Sequence, residues 1–341
     1  MNKVVYQLLL GIICLLPVSL FSQDVHFSHI HASPTILNPA MTGLFNGQVR
    51  FIGNSKGQWN GLTKGYRTFA GSVDMRMFEF NREDVIAGGL NIISDKAGDL
   101  DFTTTAVLGS VSVLKTLGNH YFAFGLQGGV ISNRVDYTKI VAFDLEPDIQ
   151  AGAPDKINYV DINTGLAWFY NFDRYSNAYL GVSASHLNQP DVSFFKDEDL
   201  KESLVNYRKY IFHGGADVEV NRKHTVMPSF IFMDQGPHRE ITMGSYWKYK
   251  TSLNGSRNSA SALYFGGWLR WYAEKNYVGT DAIIAAIRMD FKNTFISLTY
   301  DVNISTLTRA SNGAGGPEFS VIHIIDSIGN RRPTKIRCPN F

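Results

Sequence analysis

Charge is scarce in this chain. Asp, Glu, Lys and Arg make up 18% of its 341 residues, against about 25% in soluble domains. The 32 basic and 30 acidic residues nearly cancel, leaving +2. That balance offers no field for nucleic acid, and no nucleic-acid partner is expected. Cysteine is scarcer still, with only Cys14 and Cys338 present. Cys14 lies in a leading apolar run, so its removal would leave Cys338 alone and exclude an internal disulfide. Past residue 21 no stretch has the length and apolarity of a membrane helix. The chain also lacks a G-x-x-x-x-G-K-[ST] phosphate loop and a G-x-S-x-G nucleophile turn. What it has in quantity is aromatics, at 13%, with 23 Phe and 16 Tyr. Mean hydropathy is near zero. That excludes a bundle of membrane helices but not a barrel, in which half of each strand is polar.

Lys3 precedes the apolar run 4–21. This pattern reads as a secretory signal peptide over 1–22, with Gln23 as the new terminus. A retained helical anchor is the other reading. Ile13 before Cys14 is too large for a good lipoprotein signal, and the run continues past it. Cleavage without lipidation is therefore expected.

The stretch from Phe102 to Ser132 organises the rest. Val107, Val111 and Val113 share one face of a first run, and Ser110 and Ser112 share the other. In a second run Phe122, Phe124, Leu126 and Val130 alternate with Ala123, Gly125, Gln127 and Gly129. Side chains of a strand alternate in this way. Gly118 and Asn119 form the turn between the runs. Each run has the length of a tilted membrane strand, about 9–11 residues. A hairpin of a soluble sandwich would read alike, so the decision rests on the remainder.

From Gly47 onward the alternation predicts strands near 48–57, 67–77, 84–94, 102–115, 120–133, 161–172, 177–187, 207–220, 224–233, 239–250, 261–272, 281–291, 294–302 and 317–325. The number, about 14, is even, as in closed bacterial barrels. The longest connections, near 134–160, 188–206 and 303–316, fall on one side, and 234–238 and 273–280 are read as outer loops too. A sandwich gives no reason for that asymmetry. The reading is a transmembrane antiparallel up-and-down β-barrel, with short periplasmic turns and longer outer loops, in contact with outer-membrane lipid. Its divisions are a signal peptide 1–22, a periplasmic lead-in or plug 23–46, the barrel 47–325 and a periplasmic tail 326–341. Phe69, Val73, Met75, Met77, Tyr210, Phe212, Val218, Leu263, Phe265, Leu269, Trp271, Ile283, Ile287, Met289 and Phe291 would face lipid. Asp74, Arg76, His213, Asp217, Glu219, Arg270, Arg288 and Asp290 would face inward. Both signs would then line the interior, as in a packed lumen. The lead-in carries Phe27, Ile30, Ile36, Leu37 and Met41, with Pro34 and Pro39. Such residues gain free energy only when buried, so an ordered segment at the periplasmic mouth is expected.

Candidate chemistry is sparse. His26, His29 and His31 could approach a Zn site, but polar residues in a lead-in explain them as well. Asp144, Glu146 and Asp148 lack the glycine of an EF-hand loop and read as a solvated acidic connection. Ser183, Ser185 and His186 are close in sequence, but Ser185 and His186 point to opposite faces of a strand. The glycines of 311–316 read as a loop. The expectation is no catalytic, cofactor or metal site, and no enzyme.

Several short motifs then occur in order: Phe27-Ser28, Leu37-Asn38-Pro39-Ala40-x-x-Gly43, Gln58-Trp59, Thr68 and Asp95-Lys96-Ala97-Gly98. After them come Gly125-x-x-Gly128-Gly129, His186-Leu187-x-Gln189-Pro190, Pro228-Ser229, Tyr300-Asp301, Ile304-Ser305, Glu318 and the ending Cys338-Pro339-Asn340-Phe341. In this order the chain resembles the PorP/SprF family of outer-membrane proteins of the type IX secretion system. It departs at His29, where the family commonly has Gln, at Pro317, where it has His, and at Asn340, where it often has Arg. The resemblance implies a barrel that helps the export or surface attachment of a secreted protein, in some members a gliding adhesin. It also implies partners: the secreted protein or its carboxy-terminal domain, and other secretion components in the periplasm. An outer-membrane channel or small-solute transporter is the alternative.

Overall fold

The computed structural model describes residues 27–28, 32–58, 65–80, 84–98, 100–137, 154–173, 175–194, 205–251, 262–274, 277–305 and 315–327. The leading run, His26, His29, His31, the acidic residues 144–148 and Cys338 lie outside them.

Fourteen strands form a closed antiparallel barrel among these residues. They are β1 (Val49–Gln58), β2 (Tyr66–Phe80), β3 (Asp84–Ala97), β4 (Phe102–Leu117), β5 (His120–Arg134), β6 (Lys156–Asn171) and β7 (Asn177–Ser185). Then follow β8 (Lys209–Glu219), β9 (His224–Gln235), β10 (His238–Lys250), β11 (Ala262–Glu274), β12 (Tyr277–Phe291), β13 (Thr294–Asn303) and β14 (Gly316–Ile325). Each strand pairs with its sequence neighbours, and β1 closes on β14 from Val49↔Ile325 to Lys56↔Glu318. Closure removes the unpaired edges that a lipid environment would leave unsatisfied. Before β1, α1 (Pro34–Leu37) and a 3-10 turn at Pro39–Met41 make up the only helical elements named among the described residues.

The period-two faces fall as the alternation predicts. Phe69, Met75, Met77, Val107, Val111, Phe122, Leu126, Phe212, Ile287 and Phe291 are exposed on the outer wall, and Phe124 is 45% exposed there. Asp74, Arg76, His213, Asp217, Arg270, Arg288 and Asp290 are buried inside. Aromatic rings gather outside at one end. His120 packs beside Phe122, Trp168 and Tyr170, with Trp168 Nε1 donating to His120 Nδ1 at 3.2 Å. His224 stacks on Trp247 and packs beside Tyr249. Such rings suit a membrane interface, where one edge is apolar and the other wet.

The connections need one correction. Those at 135–155, 186–208 and 304–315, the three longest, do leave the same end, called here the loop end. However, only two residues separate β9 from β10 and β11 from β12 at that end, and eleven separate β10 from β11 at the opposite, turn end. The strands β9 to β12 simply extend farther than their apolar alternation, because polar residues such as Gln235, His238 and Arg239 continue the ladder.

An arginine on the outer wall meets hydrocarbon at about 2–4 kcal/mol near the midplane. Phe124→Arg should therefore lose most of its folded, heat-modifiable form on gels of outer-membrane fractions. Phe124→Leu should keep it. Equal yields of the two would contradict the assigned lipid face.

Candidate functional site

The lumen is occupied by the chain itself. Residues 32–45 are buried apart from the half-buried Ile36 and Leu37, and Ala32, Asn38, Ala40 and Met41 have no exposed surface. The segment does not sit at one mouth, as expected from sequence, but runs the length of the barrel. Ser28 is held near the loop ends of β1, β13 and β14, whereas Phe45 packs with Ile52, Ile322 and Ile324 near their turn ends.

Non-helical backbone at membrane depth needs a partner for each polar group. The wall supplies them. Asn54 Nδ2 donates to Ala32 O at 3.0 Å, Gln127 Nε2 to Thr35 O at 3.4 Å, and Ser183 Oγ to Leu37 O at 2.8 Å. Ser112 Oγ donates to Thr42 O at 2.6 Å, and Arg76 Nε to Gly43 O at 3.1 Å. Thr35 and Thr42 add hydroxyl bonds to Asn91 and Ser110.

Asn38 lies at the centre. Its side chain caps the following 3-10 turn, accepting from Ala40 N at 2.9 Å. Its Nδ2 donates to Leu166 O at 3.0 Å and Val182 O at 3.2 Å, and lies 3.0 Å from His213 Nε2. This approach to the wall requires missing side chains. A Cβ on Gly165 would fall 1.9 Å from Asn38 Oδ1, and one on Gly125 would fall 2.3 Å from Ala40 N. The two glycines face each other across β5 and β6 and form a cradle for Asn38-Pro39-Ala40. Gly43 is required as well. Its φ is +75°, and a Cβ there would stand 2.1 Å from that of Ala87.

The electrostatics are matched rather than one-sided. Arg50 and Asp74, both fully buried, pair at 3.0 and 2.8 Å through two bonds. Arg50 Nη2 also donates to Met41 O at 3.1 Å, and Gly43 N donates to Asp74 Oδ2 at 2.7 Å. The Phe45 ring lies under both Arg50 and Arg76. Around Ser28, Lys56 and Arg270 face Asp301 and Glu318, and Arg270 Nε donates to Asp281 at 2.6 Å. On the far wall Tyr246, Tyr264 and Trp268 pack with Met227, Ile284 and Ala286, and Arg288 pairs with Asp290 at 2.9 Å over the Tyr264 and Phe295 rings. The strands there fill their share of the lumen with their own side chains.

The sequence candidates for catalysis separate. Ser183 is directed at the lumenal segment. His186 leaves the end of β7 with φ +56° and sets Nδ1 2.8 Å from Asp161 Oδ1, while its own N–H donates to Asn163. Gln127, on the inward face of β5, is buried and joined to Asn163 at 3.0 Å. Sequence reasoning did not single out Arg50, Asn54, Asn91 or Lys56. Their only signal was polarity on the inward register.

The family model of "Type IX secretion system membrane protein PorP/SprF" matches residues 19–319. The chain belongs to the PorP/SprF family. The family description, with a closed barrel whose outer wall is apolar, places the protein in the outer membrane. No curated protein matches the chain. Among solved structures it is similar to CdiB from Escherichia coli at 10% identity and TM-score 0.46, covering 80% of this chain and 62% of that one. It is similar to the CymD monoaromatic hydrocarbon channel at 10% identity and TM-score 0.46, covering 86% and 93%. CdiB from Acinetobacter baumannii matches at 9% identity and TM-score 0.43, over 81% of this chain, which spans 60% of that protein.

Gly165→Ala should force Asn38 off the wall. Overpacking of this kind costs about 1–3 kcal/mol. A lowered thermal midpoint is expected in purified, heat-modifiable protein, with faster proteolysis within 32–45. Gly53→Ala, where a Cβ meets nothing within 4 Å, is the matched control and should leave both unchanged.

Proposed function

We propose that this barrel is closed to solutes and supports the export or surface attachment of a secreted protein, such as an adhesin of the gliding machinery. In this reading residues 1–22 are removed and 23–46 fill the lumen. The tail 326–341 lies in the periplasm, beside other secretion components. The long connections face outward, toward the secreted protein or its carboxy-terminal domain. One observation carries the reading. The lumen holds an irregular segment whose backbone is bonded by side chains of β1, β2, β4, β5 and β7, fixed by the buried pair Arg50–Asp74. Removing one member of a buried pair costs about 3–5 kcal/mol. A solute path would have to break several such contacts at once. The work of the protein then falls to the ends of the barrel, where partners can be met.

Deleting the gene while tracking one large surface protein tests the reading. Loss of its surface retention is expected, with recovery on re-expression. Unchanged export and retention of every secreted protein would refute the proposal. The purified barrel should show no steady conductance in planar bilayers. Removing residues 24–43 behind an intact signal peptide should open conductance and lower the thermal midpoint. A steady conductance of the intact protein would instead favour a channel or small-solute transporter.

A further inference from the structure

The direction of the chain inside the lumen is fixed at both ends. At the turn end Gln48 N donates to Ile325 O at 2.8 Å, and β1 begins. At the loop end Ser28 N donates to Glu318 Oε2 at 2.8 Å, and Lys56 Nζ donates to Ser28 Oγ at 2.8 Å. Arg270 Nη1 donates to the same oxygen at 3.2 Å, and Ser28 Oγ bonds Asp301. Lys56, Arg270, Asp301 and Glu318 each stand in the loop-end half of their strand. The polypeptide therefore enters the lumen from the loop end and leaves it at the turn end. Only residues 23–27 separate Ser28 from the expected cleavage site. Extended, they reach about 17 Å at 3.3–3.6 Å per residue.

From this geometry we infer that the chain is threaded through the lumen from the loop end to the turn end, so that the mature amino terminus is delivered to the loop-end mouth. The expected labelling rests on the reading that the loop end faces outward. Lys56 and Glu318 face each other across the closing seam of β1 and β14, and both hold Ser28. The segment is thus clasped by the two strands that close the barrel. The lumenal segment is then an internal strut that also carries its own free end to the opposite face of the membrane from the start of β1.

Single cysteines test this in the full chain with its signal peptide, on a Cys338→Ser background, using a membrane-impermeant maleimide. The sites are Asp24→Cys, Asp155→Cys in the long connection 135–155, and Asn119→Cys in the turn 118–119, each checked for heat-modifiable folding. On intact cells Asp24→Cys should label to the extent of Asp155→Cys, and Asn119→Cys should label only after permeabilisation. Labelling of Asp24→Cys together with Asn119→Cys, or only after denaturation, would overturn the inference. If Asp155→Cys and Asn119→Cys exchange behaviour, the outward-loop reading fails. Asp24→Cys tracking Asp155→Cys would even then uphold the threading. The mass of the purified protein is the companion measurement, and a chain that keeps residues 1–22 would also overturn the inference.

Discussion

Arg50 and Asp74 face each other across the first two strands, and the remaining structure is arranged around their pairing. Neither side chain has exposed surface. A buried ion pair is tolerable only when its remaining hydrogen-bonding groups are also satisfied. Two strands alone cannot do this. Met41 O takes one guanidinium proton, and Gly43 N gives one to the carboxylate. The pair thus requires the lumenal turn, and the turn requires the pair. Phe45 closes the arrangement by lying against Arg50 and Arg76, which shields it from the turn end.

From that anchor the mixed sign of the interior becomes intelligible. A conducting lumen lined by one sign would hold its charges apart for water and ions. Here Lys56 and Arg270 meet Asp301, Arg270 also meets Asp281, and Arg288 meets Asp290. Ser28 lies between Lys56, Arg270 and Asp301, and the Tyr264 and Phe295 rings lie under Arg288. Lys56, Arg270 and Asp301 tie β1, β11 and β13 to one another and to Ser28, which braces that part of the wall. The same logic explains the polar neutral groups. Asn54, Gln127, Ser112 and Ser183 all give their protons to carbonyls of the segment.

How much of this was legible in the sequence depends on range. Strand number and facing follow from a local property, alternation, and Phe124 and Asp74 fall on the faces their register requires. Strand ends are less legible. β6 begins at Lys156 and β12 at Tyr277, both earlier than the predicted starts, and in β6 the polar Lys156 and Asn158 continue the ladder. The path of the lumenal segment was not legible at all. Its contacts join Ser28 to Glu318, Asn38 to Val182 and His213, and Thr35 to Asn91. No pattern within a window encodes such partners. Gly125 and Gly165 read only as the small face of two strands, and their meaning as a cradle needs the Asn38 side chain beside them.

The motifs through which the sequence resembles its family can now be read physically. Ser28 is the residue clasped at the seam, and Asp301 and Glu318 clasp it. Asn38 and Gly43 are the residues that bind and turn the segment, and Gly125 is part of what receives it. Thr68 bonds Asp95 on the neighbouring strand. These positions are scattered over most of the chain, yet several converge on one object, the filled lumen. Motifs of that kind describe how the lumenal segment is held in register. A membrane barrel has two surfaces that can be specified independently, because alternate residues serve the wall and the lumen. In this protein the wall is written in general apolar chemistry, while the lumen is written in particular residues matched to one segment of the same chain.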